Sequence, residues 1–356
     1  MVGAERNPYS FEPIATNELF ACRDKEICDV KYYIGFCKNE TPICYNFLIL
    51  GAKGSGKTSM LNIIKVLAKE NGVMIVDVPL YDIETDISFI KQLFDAIITT
   101  GANSDMYGGR NGNIYKQFRR ILDNVEYKLE LNAPLSFFNI YVASKKGDNP
   151  TISLPALKED FKDIVNEAKT KKITSIALFL DDCDILSDNS KIILTMNRLF
   201  ENIKGYHLIF AGTKNLITIM RGFEPLMTFE LRDLTSKKEL EEFVLKPLDE
   251  NQKRLVDQSV FDQIHKLTHG HASPRLVTLF AHYIYRHFYE NLDNQKDFND
   301  KQKMEITNKV LESVLSQIET QCIDSETSEE VKKLIDQCIY WATPKILDEV
   351  GAHGAQ

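Results

Sequence analysis

Nothing in this sequence is long and apolar enough to cross a bilayer. That takes about 18 consecutive apolar residues, and runs such as Phe47-Leu-Ile-Leu50 and Ile176-Ala-Leu-Phe-Leu180 are far shorter. The opening Met1-Val-Gly-Ala-Glu-Arg-Asn-Pro8 has no apolar signal core. The seven cysteines are odd in number and include no C-x-x-C. Cys22, Cys28, Cys37 and Cys44 cluster early, but without zinc-site spacing, so buried reduced thiols are expected. Positive charge is also in deficit. A formal net charge of −8 counts against a broad nucleic-acid surface. There is one tryptophan, Trp341, and there are no internal repeats. The expectation is a soluble cytoplasmic protein with no membrane partner. Its 356 residues suffice for two or three domains, or one large domain with additions.

What is present centres on Asn46-Phe-Leu-Ile-Leu50 followed by Gly51-Ala52-Lys53-Gly54-Ser55-Gly56-Lys57-Thr58-Ser59. This is G-x-x-x-x-G-K-T, the P-loop pattern, set between an apolar strand and an apolar-periodic helix with Met60, Leu61, Ile63, Ile64, Val66 and Leu67. A triphosphate needs many donors in a small space. Gly51, Gly54 and Gly56 carry no Cβ, so the backbone can wrap a phosphate and aim its N–H groups inward. The helix starting at Lys57 adds its positive dipole end. Lys57 reaches the β- and γ-phosphates, and Thr58 offers its hydroxyl to Mg²⁺. The nine residues Gly51 to Ser59 are therefore the candidate ATP/ADP site.

The second anchor is Lys172-Ile-Thr-Ser-Ile-Ala-Leu-Phe-Leu180-Asp181-Asp182-Cys-Asp184, a buried strand ending in acids. Ligands of parallel sheets lie at the carboxyl ends of the strands. Asp181 would hold Mg²⁺ there, and Asp182 would stand where an attacking water needs a base. Further strands are expected at Val73–Val78, from His207 to a Thr213/Asn215 turn, and at Phe229–Leu231. Helices are expected at Ser88–Thr100, Ala156–Thr170 and Lys191–Ile203. Between them, a loop spans 101–113, a helix Tyr115–Leu131, and a hairpin insertion occupies residues near 131–155.

From Ser236 the pattern becomes helical. Ser236-Lys-Lys-Glu239 is a capping box, with Leu240, Phe243 and Val244 inward. A second helix carries Val260, Phe261, Ile264 and Leu267 and ends at Gly270. Ser273-Pro274-Arg275 then starts a third, with an N-cap, a proline at N1 and an arginine in the first turn. Residues 290–304 read as a linker. Two amphipathic helices follow, without a catalytic motif or a winged helix.

Taken in order, these motifs resemble the AAA+/STAND P-loop ATPases, in particular the origin-initiator-like members. The resemblance implies a mostly parallel α/β sheet flanked by helices, an all-α lid and a C-terminal helical extension. The division it implies is a lead-in over 1–45, a core over 46–234, a lid over 235–290 and an extension over 291–356. Asn7-Pro8-Tyr9 and Phe20-Ala-Cys-Arg23-Asp-Lys-Glu26 resemble the lead-in that lies against the base, with Ala21-Cys22 where that pattern usually has Val-Gly. Arg23 is thereby a candidate nucleotide contact. Thr213 takes the place of the first sensor of the γ-phosphate, and Arg275 that of the second. Arg221 falls where an arginine reaches a neighbouring subunit's γ-phosphate. AAA+ hydrolases usually carry Glu where this chain has Asp182, whereas an Asp-Asp pair is common in slow STAND switches.

Three functions follow from these expectations. The first is a slowly hydrolysing ATP switch or scaffold acting with itself or a protein partner. The second is an AAA+ initiator or remodelling ATPase assembling on DNA or a protein client, with DNA disfavoured by charge. The third is a nucleotide-stabilised module without turnover, which the Asp181-Asp182 pair argues against.

Overall fold

The structure, a computed structural model, describes residue 9 and residues 20–35, 44–81, 83–103, 154–187, 190–250, 253, 256, 258–268 and 270–292. The expected 115–131 helix, nearly all of the hairpin, and the extension beyond 292 lie outside the described residues.

Five strands form one parallel sheet: β1 (Asn46–Gly51), β2 (Val73–Asp77), β3 (Ser175–Leu180), β4 (Tyr206–Gly212) and β5 (Leu226–Leu231). Their order across the sheet is β2-β3-β4-β1-β5. The four strand pairings are all parallel, and the register sets Leu50 against Gly212 and Gly51 against Leu231. Such strands are covered on both faces, which is why they read as unbroken apolar runs. Alternation assigns the faces. Leu48, Leu50, Leu178, Leu180, Leu208 and Phe210 point to one core cluster. Phe47, Ile49, Ala177, Phe179, Ile209 and Ala211 point to the other.

The first cluster is closed by α3 (Asp86–Asn103), α4 (Leu154–Thr170) and α5 (Ser190–Phe200). The second is closed by α1 (Asp24–Gly35) and α2 (Lys57–Glu70). On α2 the stripe is Met60, Leu61, Ile63, Ile64, Leu67 and Ala68. Val66, expected on that stripe, is exposed, because two residues past Ile64 is about 200° around the helix.

A short α6 (Leu216–Ile219) and a 3-10 turn (Met220–Gly222) lead from β4 to β5. Beyond β5, α7 (Lys237–Leu245), α8 (Gln258–Leu267) and α9 (Pro274–Leu292) form a separate helical cluster, the lid. Both halves of the Ser236–Glu239 capping box are made. Leu276 N donates to Ser273 Oγ at 3.2 Å, so Ser273 caps α9.

Several boundaries differ from expectation. Leu154 opens α4 and is not a hairpin strand residue. β5 begins at Leu226, three residues before Phe229. α3 runs on to Asn103, and α9 passes three residues into the expected linker.

Candidate functional site

The P-loop leaves β1 at Gly51 and closes at Gly56. Gly56 has φ 97 and Gly54 φ 82, conformations that L side chains rarely adopt. Gly51 is needed for space: a Cβ there would meet Ser55 Oγ and lie 2.9 Å from Leu231 O on β5. No side chain caps α2, so its amino end faces the loop with its dipole unneutralised. Lys57 Nζ donates to Gly51 O at 3.0 Å and Ala52 O at 3.1 Å, which folds the ammonium over the loop. Ser55 Oγ is buried and has no hydrogen-bond partner among the described residues.

Thr58 Oγ1 donates to Asp181 Oδ2 at 2.8 Å, across from the end of β3. The other oxygen, Asp181 Oδ1, accepts from Asp182 N at 2.9 Å. Asp182 is exposed and left-handed, φ 51 and ψ 40, at the head of the 3-10 turn Cys183–Leu186. Burial pushes the Cys183 thiol far up, so it stays protonated.

The lid meets the P-loop through its backbone. Past Leu231 the chain reaches Leu234, which bridges Ala272 both ways: Leu234 N to Ala272 O at 2.8 Å and Ala272 N to Leu234 O at 3.0 Å. That bridge sets the start of α9 above the loop. Arg275 N donates to Gly54 O at 3.2 Å, and a Cβ on Gly54 would fall 2.9 Å from Arg275 Cβ.

The lead-in joins both parts. Phe20 packs 3.6 Å from where a Gly56 Cβ would stand. Phe20 O accepts from Lys246 Nζ at 3.0 Å, and Cys22 N donates to Glu242 Oε1 at 3.0 Å. Arg23 is buried, with Nη1 on Cys22 O at 3.2 Å and Nη2 on Arg232 O. Burial lowers its pKa, opposed by Glu26. Cys22 has φ 60, and burial followed by Glu242 and Glu239 pushes its thiol up to about 12. Tyr9 OH donates to Val244 O at 2.8 Å, placing residue 9 in the lid core.

Between these parts lies a cleft of about 380 Å³. Lys53, Gly54, Ser55, Gly56, Lys57, Thr58 and Ser59 line it with Asp182, Arg23 and Arg275. Phe20, Ala21, Leu234 and Phe243 give it an apolar end. A magnesium nucleotide fits this donor set: glycines that leave room, an unpartnered buried hydroxyl, a lysine, and a hydroxyl–carboxylate pair suited to Mg²⁺.

Two expected residues stand apart. Thr213 is outside the cleft lining and bonds Asp184: N to Oδ1 at 2.9 Å and Oγ1 to Oδ1 at 2.5 Å. The backbone of Arg221 lies in the turn before β5. Two residues on, Phe223 O accepts from Asn46 Nδ2 at 3.3 Å, at the amino edge of the sheet, opposite the P-loop. Sequence reasoning missed Asp184, whose only signal was its place three residues after Asp181. It also missed Glu239 as a lid clamp. Glu239 Oε1 accepts from Arg232 Nη2 at 2.5 Å, and Glu239 Oε2 accepts from Thr235 N at 2.9 Å and Ser236 N at 3.0 Å. Among the described residues no helix is long and apolar enough to cross a membrane, and no group of three or more His, Cys, Asp or Glu could hold a metal ion.

A family match agrees with the P-loop fold. Residues 23–266 match the profile described as the KAP family P-loop domain. A curated relative is described as an uncharacterized HTH-type transcriptional regulator of Methanocaldococcus jannaschii. It is 27% identical over 224 residues, 62% of this chain and 48% of its own length. The chain thus spans about half the length of that relative. Among solved structures, Cdc6p from Pyrobaculum aerophilum is similar with TM-score 0.47 and 14% identity, covering 87% of this chain and 70% of its own. The ORC1 protein of Aeropyrum pernix, solved in complex with DNA, gives TM-score 0.47 and 12% identity, covering 86% and 68%.

Proposed function

The chain belongs to the KAP family of P-loop domains, and from that premise we propose that it is an ATP-dependent switch that hydrolyses slowly. In this reading a core over 46–234 and a lid over 235–290 close on one nucleotide. The observation that carries it is the seating of α9: Arg275 N on Gly54 O puts a lid arginine beside the phosphate loop. Lys57, the α2 amino end and Arg275 hold the phosphates, and Ser55 Oγ gains a partner. Thr58 and Asp181 hold Mg²⁺, which would supply charge neutralisation at the transferred phosphate. Asp182 orients and deprotonates water. Loss of the γ-phosphate removes what Arg275 grips, so lid position follows nucleotide state.

The test is Mg·ATP binding and steady-state turnover across protein concentration. Lys57→Ala is expected to abolish binding. Asp182→Asn is expected to keep binding and lower kcat by about 10²-fold or more. Turnover per subunit that rises with concentration and falls in Arg221→Ala would show a site completed by a second copy. A wild type that neither binds nor hydrolyses ATP rejects the proposal.

A second reading is favoured by the curated relative's description as a transcriptional regulator. In it, the same ATP cycle controls engagement of DNA. Duplex DNA binding that weakens steeply with salt and depends on ATP would support it, and the net charge of −8 is the argument against it.

A further inference from the structure

Asp184 has no part in the cleft lining, yet its carboxylate takes both donors of Thr213 at the end of β4. Its carboxylate accepts Thr213 N at 2.9 and 3.1 Å and Thr213 Oγ1 at 2.5 Å. It lies on Gly212, where a Cβ would meet its oxygens at 3.2 and 3.3 Å. Its main-chain oxygen accepts Ser187 N at 3.0 Å and Ser187 Oγ at 2.6 Å. The 3-10 turn that carries it begins at Asp182, whose carbonyl accepts Ile185 N at 3.4 Å.

These bonds complete a polar chain that links the start of α2 to the ends of β3 and β4. Thr58, at the start of α2, bonds Asp181 at the end of β3. Asp181 bonds the backbone of Asp182. The turn passes to Asp184, and Asp184 bonds Thr213 at the end of β4. A carboxylate only accepts, so the direction of the last bond is fixed. The Thr213 hydroxyl donates its one hydrogen bond to Asp184 Oδ1, which leaves only its lone pairs for other partners. It can receive a hydrogen bond from water, but it cannot donate to a phosphate oxygen while the bond lasts.

We propose that Asp184 is a positioning residue of the ATP site: by holding both donors of Thr213, it pins the turn that presents Asp182 and makes Thr213 an acceptor for water. The role rests on the ATPase reading above. It concerns the chemical step and not nucleotide binding, because none of the P-loop contacts pass through Asp184. Small errors in the placement of a water-orienting group cost rate, while binding by the phosphate loop is untouched.

The experiment compares wild type, Asp184→Ala, the isosteric Asp184→Asn, Thr213→Val, Thr213→Ser and the Asp184→Ala/Thr213→Val double variant. Mg·ATP and Mg·ADP affinity, kcat, melting temperature and amide exchange at Thr213 are measured for each. Asp184→Ala is expected to lower kcat about 100-fold while both dissociation constants stay within about threefold. Thr213→Val falls similarly, Thr213→Ser retains most of the rate, and the double variant is no worse than Asp184→Ala alone. The Thr213 amide exchanges faster in Asp184→Ala. Asp184→Asn carries the kinetic test if Asp184→Ala fails to fold. Asp184 variants that hydrolyse like an active wild type, or losses that multiply in the double variant, overturn this role alone. A wild type without turnover overturns the parent reading and takes the role with it.

Discussion

Asp182 carries its carboxylate on a backbone that few non-glycine residues adopt, φ 51. A Cβ in that region costs about 1–2 kcal/mol against a following carbonyl, and Asp tolerates it better than most. The strain sits where the proposed water is activated, a common location for stored strain. Asp182→Gly should therefore be more stable than Asp182→Ala by about 1 kcal/mol, with turnover lost in both; urea unfolding gives the difference. Equal stability would mean that the turn rearranges in the variants.

His207 offers a second residue-level test. It is buried among β1, β3 and β4, with Nδ1 on Tyr45 O at 3.0 Å and Nε2 on Ser175 Oγ at 3.1 Å. Burial drives its pKa down to about 4, partly opposed by the Tyr45 carbonyl. A folded-state pKa below the unfolded value of about 6.5 means that the unfolded chain binds the extra proton. This contribution to stability is complete above about 6.5 and is lost as pH falls toward 4, at up to about 1.4 kcal/mol per pH unit. His207→Gln should flatten that part of the stability–pH curve, and an unchanged slope would assign it to other groups.

Among the elements, legibility followed local chemistry. The P-loop helix, the Asp181 strand and the Ser236 box were readable because each signal lies within a few residues: glycines before a lysine, acids after an apolar run, Ser and Glu three apart. The starts of β5 and α4 were not. Leu226 and Met227 join the sheet only because β1 supplies partners, Asn46 opposite Leu226 and Phe47 opposite Met227. Leu154 enters α4 although its neighbours alternate like a strand. In the site, the contacts that escaped notice were those between elements far apart in sequence: Asp184 with Thr213, Cys22 with Glu242, and Arg275 with Gly54. Residue types name candidates, but only the register shows which ones meet.

The capping box on α7 is also the lid's fastening, and its two halves should not weigh the same. Among the described residues Ser236 Oγ accepts from Glu239 N alone, at 3.2 Å. Glu239 binds Arg232, Thr235 and Ser236, and these bonds overcome its partial burial to bring its pKa down to about 2. Ser236→Ala should cost about 1 kcal/mol. Glu239→Ala should cost more and loosen the exit from β5, seen as faster amide exchange at Thr235 and Ser236. Because the folded pKa is depressed below the usual carboxylate value, the clamp contributes above about pH 4.5. That contribution fades as pH drops toward 2.

At the scale of the molecule, the question is what seats the lid, and two adjacent residues give opposite expectations. The contact runs through the main chain of Arg275 and the open face of Gly54. Arg275→Ala keeps the N–H and the Cβ, so α9 should stay seated and only the guanidinium's proposed grip on a phosphate is lost. Gly54→Ala adds a methyl 2.9 Å from Arg275 Cβ at a φ of 82, so the lid must lift or the loop must distort. Losing one such hydrogen bond is worth about 1 kcal/mol, or roughly fivefold in an opening equilibrium. Amide exchange in the first turn of α9 should thus rise about fivefold or more in Gly54→Ala and stay unchanged in Arg275→Ala, while ATP turnover falls in both. If exchange rises in Arg275→Ala instead, the side chain and not the backbone holds the lid, and the nucleotide-following motion must be rebuilt around that arginine's own contacts.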